Sequence, residues 1–163
     1  MMLKRVWGGR EKWSATRIPP GDDQSHDHSE LEPTNAFKGG SGLRWSQMRG
    51  MKVNDYYLLD LRKPRVLDRI VFWTEGEKYP ERYRIEVRAA EKAEWEDLGV
   101  QSGPIEKTFE HPRKIEAIRV TVVEPRKYAK PRPIVGDSPA WSIHDIRLRE
   151  VRLFEKLWHR EIR

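Results

Sequence analysis

The sequence predicts an all-β domain of antiparallel strands. Seven or eight short runs alternate apolar and polar residues, glycine, proline or charged residues bound each run, and no amphipathic stretch of ordinary helical length separates them. Without such helices, parallel crossover units have no support, which leaves an antiparallel sandwich or barrel. A chain of 163 residues holds one domain, with or without tails. Of these residues 37% are hydrophobic and 36% charged. Counting the 11 glycines with the apolar residues brings the total to about 44%, close to the globular range, so the chain is expected to fold despite its charge.

Taken in order, residues 13–18 form an optional first strand. Residues 55–61 and 66–73 follow as two alternating runs. The clearest strand is 82–88, where Tyr83, Ile85 and Val87 share one face and Arg82, Arg84, Glu86 and Arg88 the other. Residues 94–98, 105–110, 115–123 and 143–154 complete the set. Short helical turns fit only within the first 50 residues. Two long connections interrupt the pattern. From 18 to 37 there is no Lys or Arg, while Asp22, Asp23, Asp27, Glu30 and Glu32 gather beside Pro19, Pro20 and Pro33. From 124 to 140 the chain is basic and stiffened by proline, with Arg126, Lys127, Lys130 and Arg132 set around Tyr128. Long loops carried by a rigid sheet are where binding residues concentrate.

Four stretches in order resemble the F5/8 type C (discoidin) domains and the related galactose-binding-like carbohydrate modules. They are Asn35-Ala36-Phe37-Lys38-Gly39-Gly40-Ser41-Gly42-Leu43-Arg44-Trp45-Ser46, Tyr56-Tyr57-Leu58-Leu59-Asp60-Leu61, Tyr83-Arg84-Ile85-Glu86-Val87 followed by Trp95, and Trp141-Ser142-Ile143-His144-Asp145-Ile146-Arg147-Leu148. The resemblance spans about residues 12–155, leaving 1–11 as an N-terminal extension and 156–163 as a C-terminal tail. It implies an eight-stranded antiparallel jelly-roll β-sandwich, with loops at one end that bind glycans, lipid headgroups or protein partners. Trp45, Trp95 and Trp141 fall at positions the resemblance makes core or near-core.

Many relatives of this kind hold a structural calcium in the first loop, through two Asp, a Thr and an acidic residue near the closing strand. Here the loop positions carry Lys38, Gly40 and Leu43, and Asp145 stands where the last acidic ligand would be. Calcium takes six to eight oxygen ligands, so the resemblance implies no calcium at this loop, with the Lys38 ammonium replacing the metal beside Asp145. Galactose-binding members also use a basic residue and an amide after the 66–73 strand, a histidine from the first loop and an aromatic from the last. The 74–80 loop, Thr74-Glu75-Gly76-Glu77-Lys78-Tyr79-Pro80, has no Arg or Asn. His26 or His28 serves as the histidine and Tyr128 as the aromatic, so that pattern is half present. The candidate ligand-binding set is His26, His28, Tyr79, Arg126, Lys127, Tyr128, Lys130 and Arg132.

Other chemistries have less behind them. His26 and His28 lie among carboxylates, yet their spacing matches no established metal site, and a solvated acidic loop is the commoner explanation. No metal or cofactor is expected. The net charge of +6 and pI near 9.6 raise nucleic acid as a partner. Most charges, however, alternate in sign along strand faces, as in Arg84-Glu86-Arg88, so nucleic acid ranks below a glycan or protein surface. There is no phosphate loop and no serine elbow, and His144 and Asp145, adjacent on a strand, are expected to face opposite ways; the chain is read as a binding module, not an enzyme. With no cysteine there are no disulfides. No apolar stretch is long enough for a membrane span, and the N-terminus lacks a secretion signal. A chain that starts with Met and is nearly all one module reads as a complete product; virus-encoded, it fits a virion surface or accessory protein, and otherwise a cytoplasmic one. Loops that contact neighbouring subunits of an assembly are the structural alternative.

Overall fold

A computed structural model describes residues 2–5, 13–17, 33–38, 44–47, 49–130 and 137–152. The expected ligand residues His26, His28 and Arg132 lie outside this set. The described elements are β1 (Met2–Arg5), β2 (Ser14–Arg17), a single helical turn α1 (Asn35–Lys38), β3 (Trp45–Ser46), β4 (Tyr56–Trp73), β5 (Arg82–Arg88), β6 (Glu96–Ser102), β7 (Ile105–Glu124), β8 (Ser142–Ile143) and β9 (Asp145–Arg152). All the strand pairings are antiparallel.

The two pairs of runs expected at 55–61 with 66–73, and at 105–110 with 115–123, are each one continuous strand. Their alternation shows why. In β4 the buried side chains are Tyr57, Leu59, Leu61, Arg65 and Leu67, then Ile70 and Phe72. The phase flips at Asp68, where the register shifts against both β7 and β9, because one extra residue turns every following side chain to the other face. A second shift lies between Asp60 and Arg65, where Arg62 takes φ 68°. The strand is sharply bent. Fifteen residues of straight strand would separate Tyr57 from Phe72 by about 50 Å, yet their rings meet edge to face at 5.7 Å.

β4 and β7 therefore serve both layers of the sandwich. One layer is β2, the first half of β4, the second half of β7, β5 and β6; the other is β1, β9, the second half of β4 and the first half of β7. The short pair β3–β8 lies off this sheet. Between the layers sit Trp45, Tyr57, Leu59, Phe72, Tyr83, Ile85, Ile118, Val120, Trp141, Ile143 and Ile146. Trp45 packs against Trp141 at 5.2 Å and Tyr57 at 5.0 Å between ring centroids. This is the jelly-roll sandwich expected from the sequence, with Trp45 and Trp141 in its core.

Two expected strands have other bounds. β6 starts at Glu96 and runs to Ser102, past the expected 94–98, because Gly99 at φ 96° and an Asp97 carboxylate accepting the Gly99 N–H at 2.7 Å let the strand continue through a bulge. The expected closing strand is split at His144 into β8 and β9. Within the expected N-terminal extension, β1 pairs along β9, with Leu3 opposite Val151.

Candidate functional site

The registers bring the long connections to one end of the sandwich. Arg17 at the end of β2 faces Tyr57 near the start of β4, Arg82 faces Glu124, Phe72 faces Ile105, and Trp73 faces Asp145. The chain thus leaves β2, enters β4, crosses 74–81 and crosses 125–141 at the same end. Backbone bonds tie these crossings together. Ser142 N–H donates to Lys78 O at 2.9 Å, His144 N–H to Trp73 O at 2.8 Å, Gln47 N–H to Trp141 O at 3.0 Å and Met51 N–H to Pro139 O at 2.9 Å.

The loop 47–55 is fixed by a buried carboxylate. Asp55, 2% exposed, accepts from both terminal nitrogens of Arg49 at 2.7 and 2.8 Å, from Gln47 Nε2 at 3.0 Å and from Lys52 N–H at 2.8 Å. Four donors on one carboxylate satisfy what burial would otherwise penalise.

Of the expected ligand residues, the structure brings Tyr79 and Arg126 together. The Arg126 guanidinium lies 4.6 Å over the Tyr79 ring, donates through Nε to Tyr79 O at 3.0 Å and pairs with Glu81 at 3.1 Å. This arginine staples the basic loop to the 74–81 loop. Lys127 and Lys130 are exposed, and Tyr128 is half-buried with its N–H on Asp137 O at 2.7 Å. Asp145 accepts from Arg147 Nε at 3.0 Å, and α1 packs beside β9. Of the expected metal-loop residues, Gly40, Leu43 and the Lys38 side chain lie outside the described set.

A group the sequence reading did not assemble lies beside these loops. The alternation that buries Phe72 turns Trp73 outward, and its indole is 41% exposed. The His144 ring meets it edge to face at 5.5 Å, and the Arg147 guanidinium lies 5.3 Å from its centroid. His144 is the one-residue break between β8 and β9, so strict alternation does not pass through it. Its ring and the Asp145–Arg147 pair border the same indole. His144 Nδ1 accepts the Glu75 N–H at 3.2 Å, which puts the ring proton on Nε2 as a donor. Burial, then the charge of Arg44 and, more weakly, Lys78, hold the imidazole below its ordinary pKa against the opposing pull of Glu75. The neutral ring is favoured near pH 7. Nearby hydroxyls are occupied: Thr74 Oγ1 donates to Ser142 O at 2.5 Å, and Ser142 Oγ to Ser46 Oγ at 3.0 Å. An open aromatic face with a few directed donors suits a ring-shaped, hydroxyl-rich ligand.

No protein-family model matches the sequence, and no curated protein does. Solved structures do. The chain is similar to the family 32 carbohydrate-binding module of Clostridium perfringens NanJ, solved with galactose, at TM-score 0.63 and 16% identity over 91% of this chain and 100% of that one. It is similar to the F5/8 type C domain of a Bacteroides fragilis protein at TM-score 0.63 and 17% identity, over 93% and 98%. It is also similar to a chitosan-binding module from a chitosanase/glucanase of Paenibacillus sp. IK-5, at TM-score 0.56 and 20% identity, over 83% and 92%. The bent strands, the two layers and the loops gathered at one end are those of the discoidin-like, galactose-binding-domain fold, and that is the fold of this chain.

Proposed function

We propose that this protein is a non-catalytic carbohydrate-binding module that holds a sugar ring on Trp73, with His144 and Arg147 as its directed partners. The observation that carries the reading is the half-exposed indole. A tryptophan left open to water beside a neutral histidine and an arginine, at the loop end of the sandwich, forfeits burial that the same strand gives Phe72. The similarity in fold to modules solved with galactose or named for chitosan supports the ligand class. On the same reading Lys127, Tyr128 and Lys130 are the basic loop's candidates for further contact with the ligand. On this reading Lys38 takes the place of a metal beside Asp145 and fixes the first loop without calcium.

A glycan array probed with the whole chain, followed by calorimetry, tests the proposal. Trp73→Ala is expected to weaken sugar binding at least about tenfold, as losing a stacked aromatic does, with the circular dichroism spectrum retained. Undiminished binding in Trp73→Ala with loss in Tyr128→Ala moves the site to the basic loop. An array with no hits, together with a concentration-dependent oligomer that Trp73→Ala dissolves, replaces sugar binding by contact between copies in an assembly.

A further inference from the structure

Below Trp73 the outer face of the β4–β9 pair carries a row of arginines. Val71 faces Arg147 and Arg69 faces Arg149 across the ladder, and Arg69, Val71, Arg147, Leu148 and Arg149 line an open cavity of about 150 Å³. Arg147 belongs both to this cavity and to the Trp73 surface. From Trp73 to Arg69 is four residues of strand, about 13 Å. The two sites are one continuous track.

The charges there are paired, and the manner of pairing matters. Arg147 meets Asp145 through Nε at 3.0 Å, and Arg149 meets Asp68 through Nε at 2.6 Å. Among the described residues, neither arginine's two terminal nitrogens have a hydrogen-bond partner. Arg69 reaches Glu106 only at 3.4 Å, between side chains that are both largely exposed. A guanidinium has five N–H donors in a fixed fork, and its outer edge matches two oxygens of one anion. The carboxylates hold Arg147 and Arg149 in place from the side and leave those outer edges open. Arginines that served only to neutralise the sheet exterior would have no need to converge on a cavity.

We infer that this track binds the anionic group of an acidic sugar, a carboxylate or a sulfate, on the Arg69–Arg147–Arg149 forks while a neighbouring ring rests on Trp73. The inference rests on the sugar-binding reading and narrows its ligand class.

The test is calorimetry on the full chain with three probes: an oligogalacturonate, a sulfated galactosaminoglycan oligosaccharide and a neutral galacto-oligosaccharide. At least one acidic probe is expected to bind about tenfold tighter than the neutral one at low salt, a preference that shrinks as salt screens the charges. The stronger of the two acidic probes identifies carboxylate or sulfate. Arg149→Gln should remove most of that preference and leave neutral-sugar affinity unchanged. Because Arg149 also holds Asp68, Arg69→Gln, at a largely exposed side chain, is the second variant and should act in the same direction. Equal affinities for all three probes, or an acidic preference that survives both variants, overturns the inference while Trp73→Ala still decides the sugar reading. Loss of all binding in every probe overturns both. Salt-sensitive capture of a DNA oligonucleotide that depends on Arg149 reassigns the forks to phosphate.

Discussion

Asp55 shows how one side chain holds a loop in place. Alternation predicts a strand from residue 55 but gives no hint that its first residue is the sink for four donors. Asp55→Ala removes the carboxylate that the Arg49 guanidinium, the Gln47 amide and the Lys52 N–H share, and should cost about 3–5 kcal/mol, measurable by urea denaturation. His144 sets a pH dependence of known sign. Its folded pKa lies below the ordinary imidazole value of about 6.5, so the unfolded chain binds more protons. The stabilising contribution is complete above the unfolded pKa and is lost as pH falls through the folded one. An NMR titration of the His144 ring should give a midpoint below 6.5, and sugar affinity should decline over the same range, since protonating Nδ1 breaks its bond to the Glu75 N–H. A midpoint at or above the ordinary value contradicts this. Trp73 was legible in principle: it ends a strand whose inward phase falls on Ile70 and Phe72. Its two partners were not, because they lie some seventy residues away and meet it only through the β4–β9 ladder.

At the scale of elements, the period of two located most strands, and the exceptions occur where one residue breaks that period. The Asp68 bulge and the bend at 60–65 join two expected strands into one, and Gly99 carries β6 beyond its expected end. Sequence spacing alone reads such breaks as strand ends, since a turn and a bulge both show as lost alternation. Connections behave differently. The 47–55 and 137–141 segments approach so closely at Gly50 that an added Cβ would lie 2.5 Å from the Ser138 carbonyl oxygen. Backbone is on the other side of that contact, so neither partner yields easily. Gly50→Ala is expected to destabilise the fold by about 1–3 kcal/mol and to lower the melting temperature, with the Met51–Pro139 bond more readily exchanged in hydrogen exchange. A variant that melts with the parent would show that the loops part without cost.

For the whole molecule, the two layers enclose a core rich in aromatic and β-branched residues, and the charge lies mostly outside as cross-strand pairs such as Arg82–Glu124 and Arg84–Asp97. Exposed pairs of this kind contribute little each; the core supplies the stability. On the sequence resemblance, which puts Lys38, Gly40 and Leu43 where calcium-binding relatives carry ligands, neither added calcium nor a chelator is expected to move the melting temperature. A calcium-dependent rise would show that other oxygens complete a site. By itself the sequence determined the fold class and the inward and outward faces of most strands, because side-chain alternation is a local property. Only the tertiary structure decided that strands expected as pairs are single bent ones and that Arg126 is spent on Tyr79. It alone set Trp73, His144 and Arg147 around one open surface. Antiparallel register brings residues from opposite halves of the chain side by side, and no local pattern records which partner a strand will find.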